Sequence, residues 1–164
     1  MKTIFLVRHA KSSWKDPTMS DFDRPLNNRG KKDATFMGEL LKKKLINPDL
    51  ILSSPANRAK RTAIEVASIV GFSEDKIIFK NEIYEATLHT LLNLIKEIDE
   101  RFNSVMIFGH NPGLTIFHNF ICNKYIENIP TCGVAASTFA KRWSECEKNS
   151  FEFLFFEYPK KYKL

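Results

Sequence analysis

The chain has 164 residues, 43% hydrophobic and 27% charged, with a formal net charge of +6 at pH 7. This length and balance indicate one globular domain, residues 1–164, with a core of its own, and exclude a disordered or fibrous chain. No apolar stretch is long enough to cross a bilayer and the run before Arg8 is too short for a secretory signal, so a cytoplasmic protein without membrane association is expected.

Residues 4–7 form the first expected strand, buried on both faces. Residues 11–28, with Trp14, Pro17, Asp21, Asp23 and Pro25, make a long polar connection across the edge where that strand ends. Asn27 or Asn28 caps a helix from Arg29 to Leu45 whose apolar stripe is Ala34, Met37, Leu41 and Leu45. A second strand covers 50–53, followed by Ser54 as helix cap, Pro55 at the first helical position and Gly71 as terminator. Ile77 to Phe79 is a short strand, and Thr87 caps a helix carrying Leu88, Leu91, Leu92, Ile95 and Ile98. A strand at 105–108 leads to a helix from Pro112 to Cys122, with Leu114, Phe117, Phe120 and Ile121 inward. Residues 133–140 and 151–158 then flank a polar turn and read as a hairpin. The alternation predicts a three-layer α/β/α sandwich with a mostly parallel sheet and a C-terminal hairpin at its edge. Whether Phe151, Phe153, Phe155 and Phe156 belong to the core or to an interface is open at this stage.

Cys122, Cys132 and Cys146 contain no CxxC pair, so neither a disulfide framework nor a cysteine zinc site is expected, and Cys122 reads as a small buried side chain. The lysine runs at 31–32, 42–44 and 160–163 read as solvated helix faces or a terminus. No nucleic-acid module accompanies them, although the positive charge favours anionic substrates by steering.

Three apolar runs end in the chain's rarest chemistry. Ile4 to Val7 runs into Arg8-His9-Ala10, Leu50 to Leu52 into Ser53-Ser54-Pro55 with Arg58 behind, and Val105 to Phe108 into Gly109-His110-Asn111-Pro112-Gly113. As parallel strands, they share the edge where open α/β sheets bind ligands. Two guanidinium forks suit the oxygens of a phosphoryl dianion, and helix starts at Ser54 and Asn111 turn free N–H groups toward it. A neutral imidazole at His9 is a competent nucleophile toward phosphorus, kept unprotonated by nearby positive charge. His110 is expected to carry a proton and stabilise charge during transfer. His89 and His118 sit mid-helix and read as structural.

The string Leu6-Val7-Arg8-His9-Ala10-Lys11-Ser12 resembles the opening signature of the histidine phosphatase superfamily, which has a phosphoglycerate-mutase-like fold. Arg24 to Gly30, Ser54 to Ala59 with Thr62-Ala63, and Gly109 to Gly113 match further segments of that family. Pro130-Thr131-Cys132 and Tyr158-Pro159-Lys160 resemble the small SixA-type phosphohistidine phosphatases in particular. The resemblance implies His9 as phosphoryl acceptor, with Arg8, Arg58 and His110 as the phosphate pocket and no metal or organic cofactor. Ser12 and Asn111 complete the expected substrate-binding set, and Arg61 is a rim residue.

A general acid is left open between Glu82, Glu85 and none, with Glu85 preferred because it lies nearer the next helix. An imidazole leaving group demands little from such an acid, whereas an alkoxide demands much. The expected substrate is therefore phosphohistidine on a protein, with Lys11, Lys15 and Arg24 meeting acidic surface of that partner. A small-molecule phosphomonoesterase or mutase, and an inactive phospho-binding module, are the alternatives.

Overall fold

The computed structural model describes residues 1–163, and its centre is one mixed six-stranded sheet. Chain order gives β1 (Lys2–Arg8), α1 (Asn28–Lys43), β2 (Leu50–Ser53), α2 (Asn57–Val70) and β3 (Ile78–Phe79). These are followed by α3 (Leu88–Lys96), β4 (Ser104–Gly109), α4 (Gly113–Ile121), β5 (Val134–Phe139) and β6 (Glu152–Glu157). The spatial order is β3-β2-β4-β1-β5-β6, with β3, β2, β4 and β1 pairing in parallel. β5 runs antiparallel to β1, and β6 antiparallel to β5, so the expected hairpin forms the far edge.

Strand pleating divides β1 between two cores. Ile4 and Leu6 pack with Leu91, Ile95, Leu114 and Phe117 from α3 and α4. Phe5 and Val7 pack with Met37, Leu41, Ala63 and Val66 from α1 and α2. Because both faces are covered, each central strand reads as a continuous apolar run.

Asn27 is the cap of α1, its Oδ1 accepting from Gly30 N at 2.8 Å, and Thr87 caps α3 from its own hydroxyl. The expected inward Leu45 is wrong: α1 ends at Lys43, Leu45 takes a φ of 60° and is 88% exposed, and Ile46 packs in its place. Ser54 does not open α2. Its N–H bonds Phe108 O, which extends the sheet edge by a residue, and the helix begins at Asn57 after Ala56. Similarly α4 starts one residue past Pro112, which follows a cis peptide bond.

The phenylalanines of the last strand divide. Phe151 is buried and stacks on Phe139 at 4.5 Å, Phe155 packs on Phe5, and Phe153 and Leu154 are exposed. The lysines of the basic tail are exposed, as expected of a solvated terminus, yet Lys161 bonds the buried Glu157 and Lys163 bonds the buried Asp33. All three cysteines are free and buried. No helix among the described residues is long and apolar enough to cross a membrane.

Candidate active site

His9 and His110 each follow the last residue of neighbouring parallel strands, in matched register: Arg8 pairs with Gly109. Sheet spacing of roughly 4.8 Å therefore sets the two rings side by side, and their centroids are 5.2 Å apart. His9 N–H continues the ladder to Gly109 O at 3.1 Å, so the nucleophile candidate sits on the sheet itself rather than on a loop. Arg8 reaches the same edge with Nη1 bonded to Ile129 O at 3.1 Å. Arg58 arrives from the first turn of α2, whose entry is held to β1 by Thr62: its hydroxyl accepts from Ala10 N and donates to Arg58 O.

Hydrogen bonding fixes the protonation pattern of His9. Nδ1 lies 2.8 Å from Ala10 O, and a carbonyl only accepts, so the neutral ring carries its proton on Nδ1 and leaves the Nε2 lone pair free. Burial, the largest cause, pushes the His9 pKa down to about 3, with His110, Arg58 and Arg8 adding repulsion against the Ala10 bond. The expectation of a protonated His110 is corrected: burial first, then Arg58, push its pKa down to about 4. Its Nε2 bonds Ser54 Oγ at 2.8 Å, while Nδ1 has no partner among the described residues. Arg8 Nε is likewise buried and unpaired, and burial followed by Arg58 lowers the Arg8 pKa. Unpaired buried polar atoms cost about 1–3 kcal/mol each, and the two residues that carry these line a cavity of about 310 Å³.

The long connection supplies a residue whose role was not foreseen. Asp21, in a single 3-10 turn at Asp21–Asp23, accepts from Arg58 Nη2 (3.0 Å), Arg24 Nη1 (2.9 Å) and Tyr84 Oη (2.6 Å). The Tyr84 bond is the main reason its carboxyl is held down at about 2, and the same bond pushes Tyr84 up to about 12. Tyr84 also packs edge-on to His110 at 5.4 Å. The only hint in the sequence was a polar loop long enough to fold back over the strand ends.

Other expected site residues are placed differently. Arg24 does not present itself to a partner: it is buried, bonded to Ser12 Oγ, Ser13 O and Asp21, and lies over the Trp14 ring. Ser12 and Asn111 both line the cavity; the Asn111 amide is engaged elsewhere, whereas the Ser12 hydroxyl accepts one bond and keeps its proton. Ser12 Oγ accepts from Arg24, whereas the Asn111 amide bonds Asn128 and Ile129 O and caps Thr115 N. Lys11 lines the cavity and Lys15 is exposed. Arg61 is away from the site, bonded to Asn57 Oδ1. Glu85 lines a second, more apolar cavity of about 570 Å³ that shares Arg58 and His110 with the first; Glu82 is exposed and does not line it. His118 is buried with Nε2 on Lys124 O, and His89 is exposed, so neither joins the site.

A parallel-centred α/β sheet that presents two histidines and two arginines at adjoining strand ends defines a phosphoryl-binding class of enzyme fold. The profile of the histidine phosphatase superfamily (branch 1) matches residues 4–113, and the chain belongs to that superfamily. An uncharacterized chloroplastic protein of Arabidopsis thaliana is 31% identical over 153 residues, spanning 88% of this chain and 70% of its own. The structure of SixA from Agrobacterium tumefaciens is similar with a TM-score of 0.79 and 30% identity, covering 96% of this chain and 98% of that one. A protein histidine phosphatase SixA complexed with tungstate shares the fold at TM-score 0.85 and 20% identity, covering 98% and 99%.

Proposed function

We propose that this protein is a phosphatase that forms a phosphohistidine intermediate on His9 and takes the phosphoryl group from a histidine of another protein. The observation that carries this reading is the His9 ring: one nitrogen committed to Ala10 O, the other left as a free base among Arg8, Arg58 and His110. In the first step the Nε2 lone pair attacks phosphorus and the P–N bond to the substrate imidazole breaks. That imidazole leaves with the bonding electrons and takes a proton from solvent. Water then attacks phosphorus and gives up a proton to solvent, the bond to Nε2 breaks, and inorganic phosphate leaves with the His9 ring restored.

Arg8 and Arg58 donate to the equatorial oxygens, and His110 donates a further hydrogen bond to them. An incoming dianion also raises the His110 pKa, which supplies the protonated form when the substrate is present. Ser12 and Asn111 shape the wall. The SixA proteins to which the chain is similar support this reading over a mutase.

A small phosphomonoester is the second reading, favoured by Glu85, a carboxyl group that lines the same cavity as Arg58 and His110. Assays with a phosphohistidine protein and with p-nitrophenyl phosphate, each with and without EDTA, separate the readings. The phosphohistidine protein is expected to be preferred and EDTA to have no effect. Rapid quenching is expected to trap acid-labile phosphate on His9, and His9→Ala to abolish turnover while remaining folded. Arg58→Ala is expected to remove about 3 kcal/mol of transition-state stabilisation, on the scale of a deleted oxyanion donor. Failure to trap phosphate on His9 under any condition would favour a phospho-binding module instead.

A further inference from the structure

Beside the catalytic cavity lies a smaller one of about 250 Å³, and the two share Arg8 and Lys11. Arg29, in the first turn of α1, and Lys160, from the C-terminal turn, bring the cationic residues that line it to four. No carboxylate is among the described residues that line it. Pro130 and Pro159 stiffen its wall, and Pro159 is buried at the start of the turn that carries Lys160.

The partners of the tail lysines separate one of them from the rest. Lys161 bonds Glu157 at 3.0 Å and Lys163 bonds Asp33, so both neutralise buried carboxylates. Lys160 has no such partner among the described residues, and neither does Lys11. Arg29 has only Asp33, at 3.5 Å, which it shares with Lys163. Four cationic residues with so little compensation make the local potential positive, which favours an anion between them.

We propose that this cavity binds a second anionic group of the substrate, a carboxylate or phosphate carried beside the phosphoryl group that is transferred. The proposal rests on the catalytic cavity being the phosphoryl site. On a protein substrate the group is an acidic side chain flanking the phosphorylated histidine; on a small substrate it is a second acid group of the same molecule. Lys160 then acts as a specificity residue, outside the reacting atoms, and a substrate without the second anion gains nothing from it.

The test compares the intact protein with Lys160→Glu on three probes: N-phosphoimidazole, phosphohistidine peptides flanked by Glu or by Ala, and 3-phosphoglycerate against glycerol 3-phosphate. The wild-type protein is expected to favour the Glu-flanked peptide by about tenfold in kcat/KM, the scale of one charge-assisted contact. Lys160→Glu is expected to lose that preference while turning over N-phosphoimidazole within twofold of wild type. A preference confined to the phosphoglycerate pair assigns the second anion to a small substrate. Equal use of both members of each pair by the wild-type protein, or a preference unchanged in Lys160→Glu, overturns the proposal. Failure of the wild-type protein to hydrolyse N-phosphoimidazole overturns the catalytic reading instead.

Discussion

Asp21 holds Arg58 at two points: its carboxylate Oδ2 accepts from Nη2 at 3.0 Å and its backbone carbonyl accepts from Nη1 at 2.7 Å. The carbonyl contact survives any substitution at position 21, so Asp21→Ala isolates the carboxylate. Removing one charge-assisted partner of a guanidinium costs roughly 1.5–3 kcal/mol, and the loss here falls on how well Arg58 is aimed. Asp21→Ala is therefore expected to lower kcat/KM by at least about tenfold with an unchanged far-UV spectrum. Tyr84→Phe, which leaves the carboxylate in place, is expected to cost about threefold. Wild-type kcat/KM in Asp21→Ala would show that Arg58 is positioned without it.

Acid lability follows from the paired rings. The folded pKa values of about 3 for His9 and about 4 for His110 lie below the value near 6.5 of an unfolded histidine. Above pH 6.5 both states are neutral there and the rings contribute nothing to the pH dependence. As pH falls from about 6.5 toward 4, the unfolded chain takes up protons that the fold resists, and stability is lost. The expected loss between pH 7 and pH 4 is on the order of 3–6 kcal/mol from this pair. Urea unfolding at pH 7, 5 and 4 measures it, and a His9→Asn, His110→Asn double variant is expected to lose much less. Equal acid sensitivity of that variant would assign the effect to other groups.

Glu85 separates two leaving groups by chemistry. It sits exposed at a φ of 56°, on the wall of the larger cavity that includes His110. An imidazole departs readily, so Glu85→Gln is expected to change phosphohistidine turnover by less than about threefold, whereas loss of a general acid costs an ester about 100-fold or more. The ratio of the two rates in the variant is the readout. Equal small losses on both substrates would leave Glu85 no role in proton transfer.

The strand ends were legible because fully buried parallel strands write unbroken apolar runs, and Arg8-His9, Arg58 and His110 stand where those runs stop. Helix caps were legible at Asn27 and Thr87 for the same local reason. Asp21 was not, because its partners Arg58 and Tyr84 are 37 and 63 residues away and a loop carboxylate has no periodicity to betray it. Ser54 misled because a serine before proline has the form of a helix start, yet its hydroxyl serves His110 across the sheet edge. Arg24 misled because a charged loop residue ordinarily faces water. Here its guanidinium is bonded through all three nitrogens from within the loop and covered by Trp14.

Gly30 joins the fold to the site and yields a stability prediction with its own control. A Cβ at this position would lie 2.1 Å from Lys11 O, an atom already fixed by its bond from Asn27 N at 3.0 Å. Neither side yields easily: the carbonyl is backbone, and Gly30 N is held by the Asn27 cap. Gly30→Ala is therefore expected to destabilise the protein by roughly 2–4 kcal/mol, as an overpacked contact does. Because Lys11 lies two residues from His9, it should also lower kcat. Gly71 is the contrast, with a φ of 85° and nothing within 4 Å of an added Cβ. Gly71→Ala meets only backbone strain, about 1 kcal/mol, and is expected to leave activity unchanged. Urea midpoints and kcat of the two variants distinguish close approach from conformational freedom; equal destabilisation with unchanged kcat in both would remove the link between the α1 start and the strand-end site.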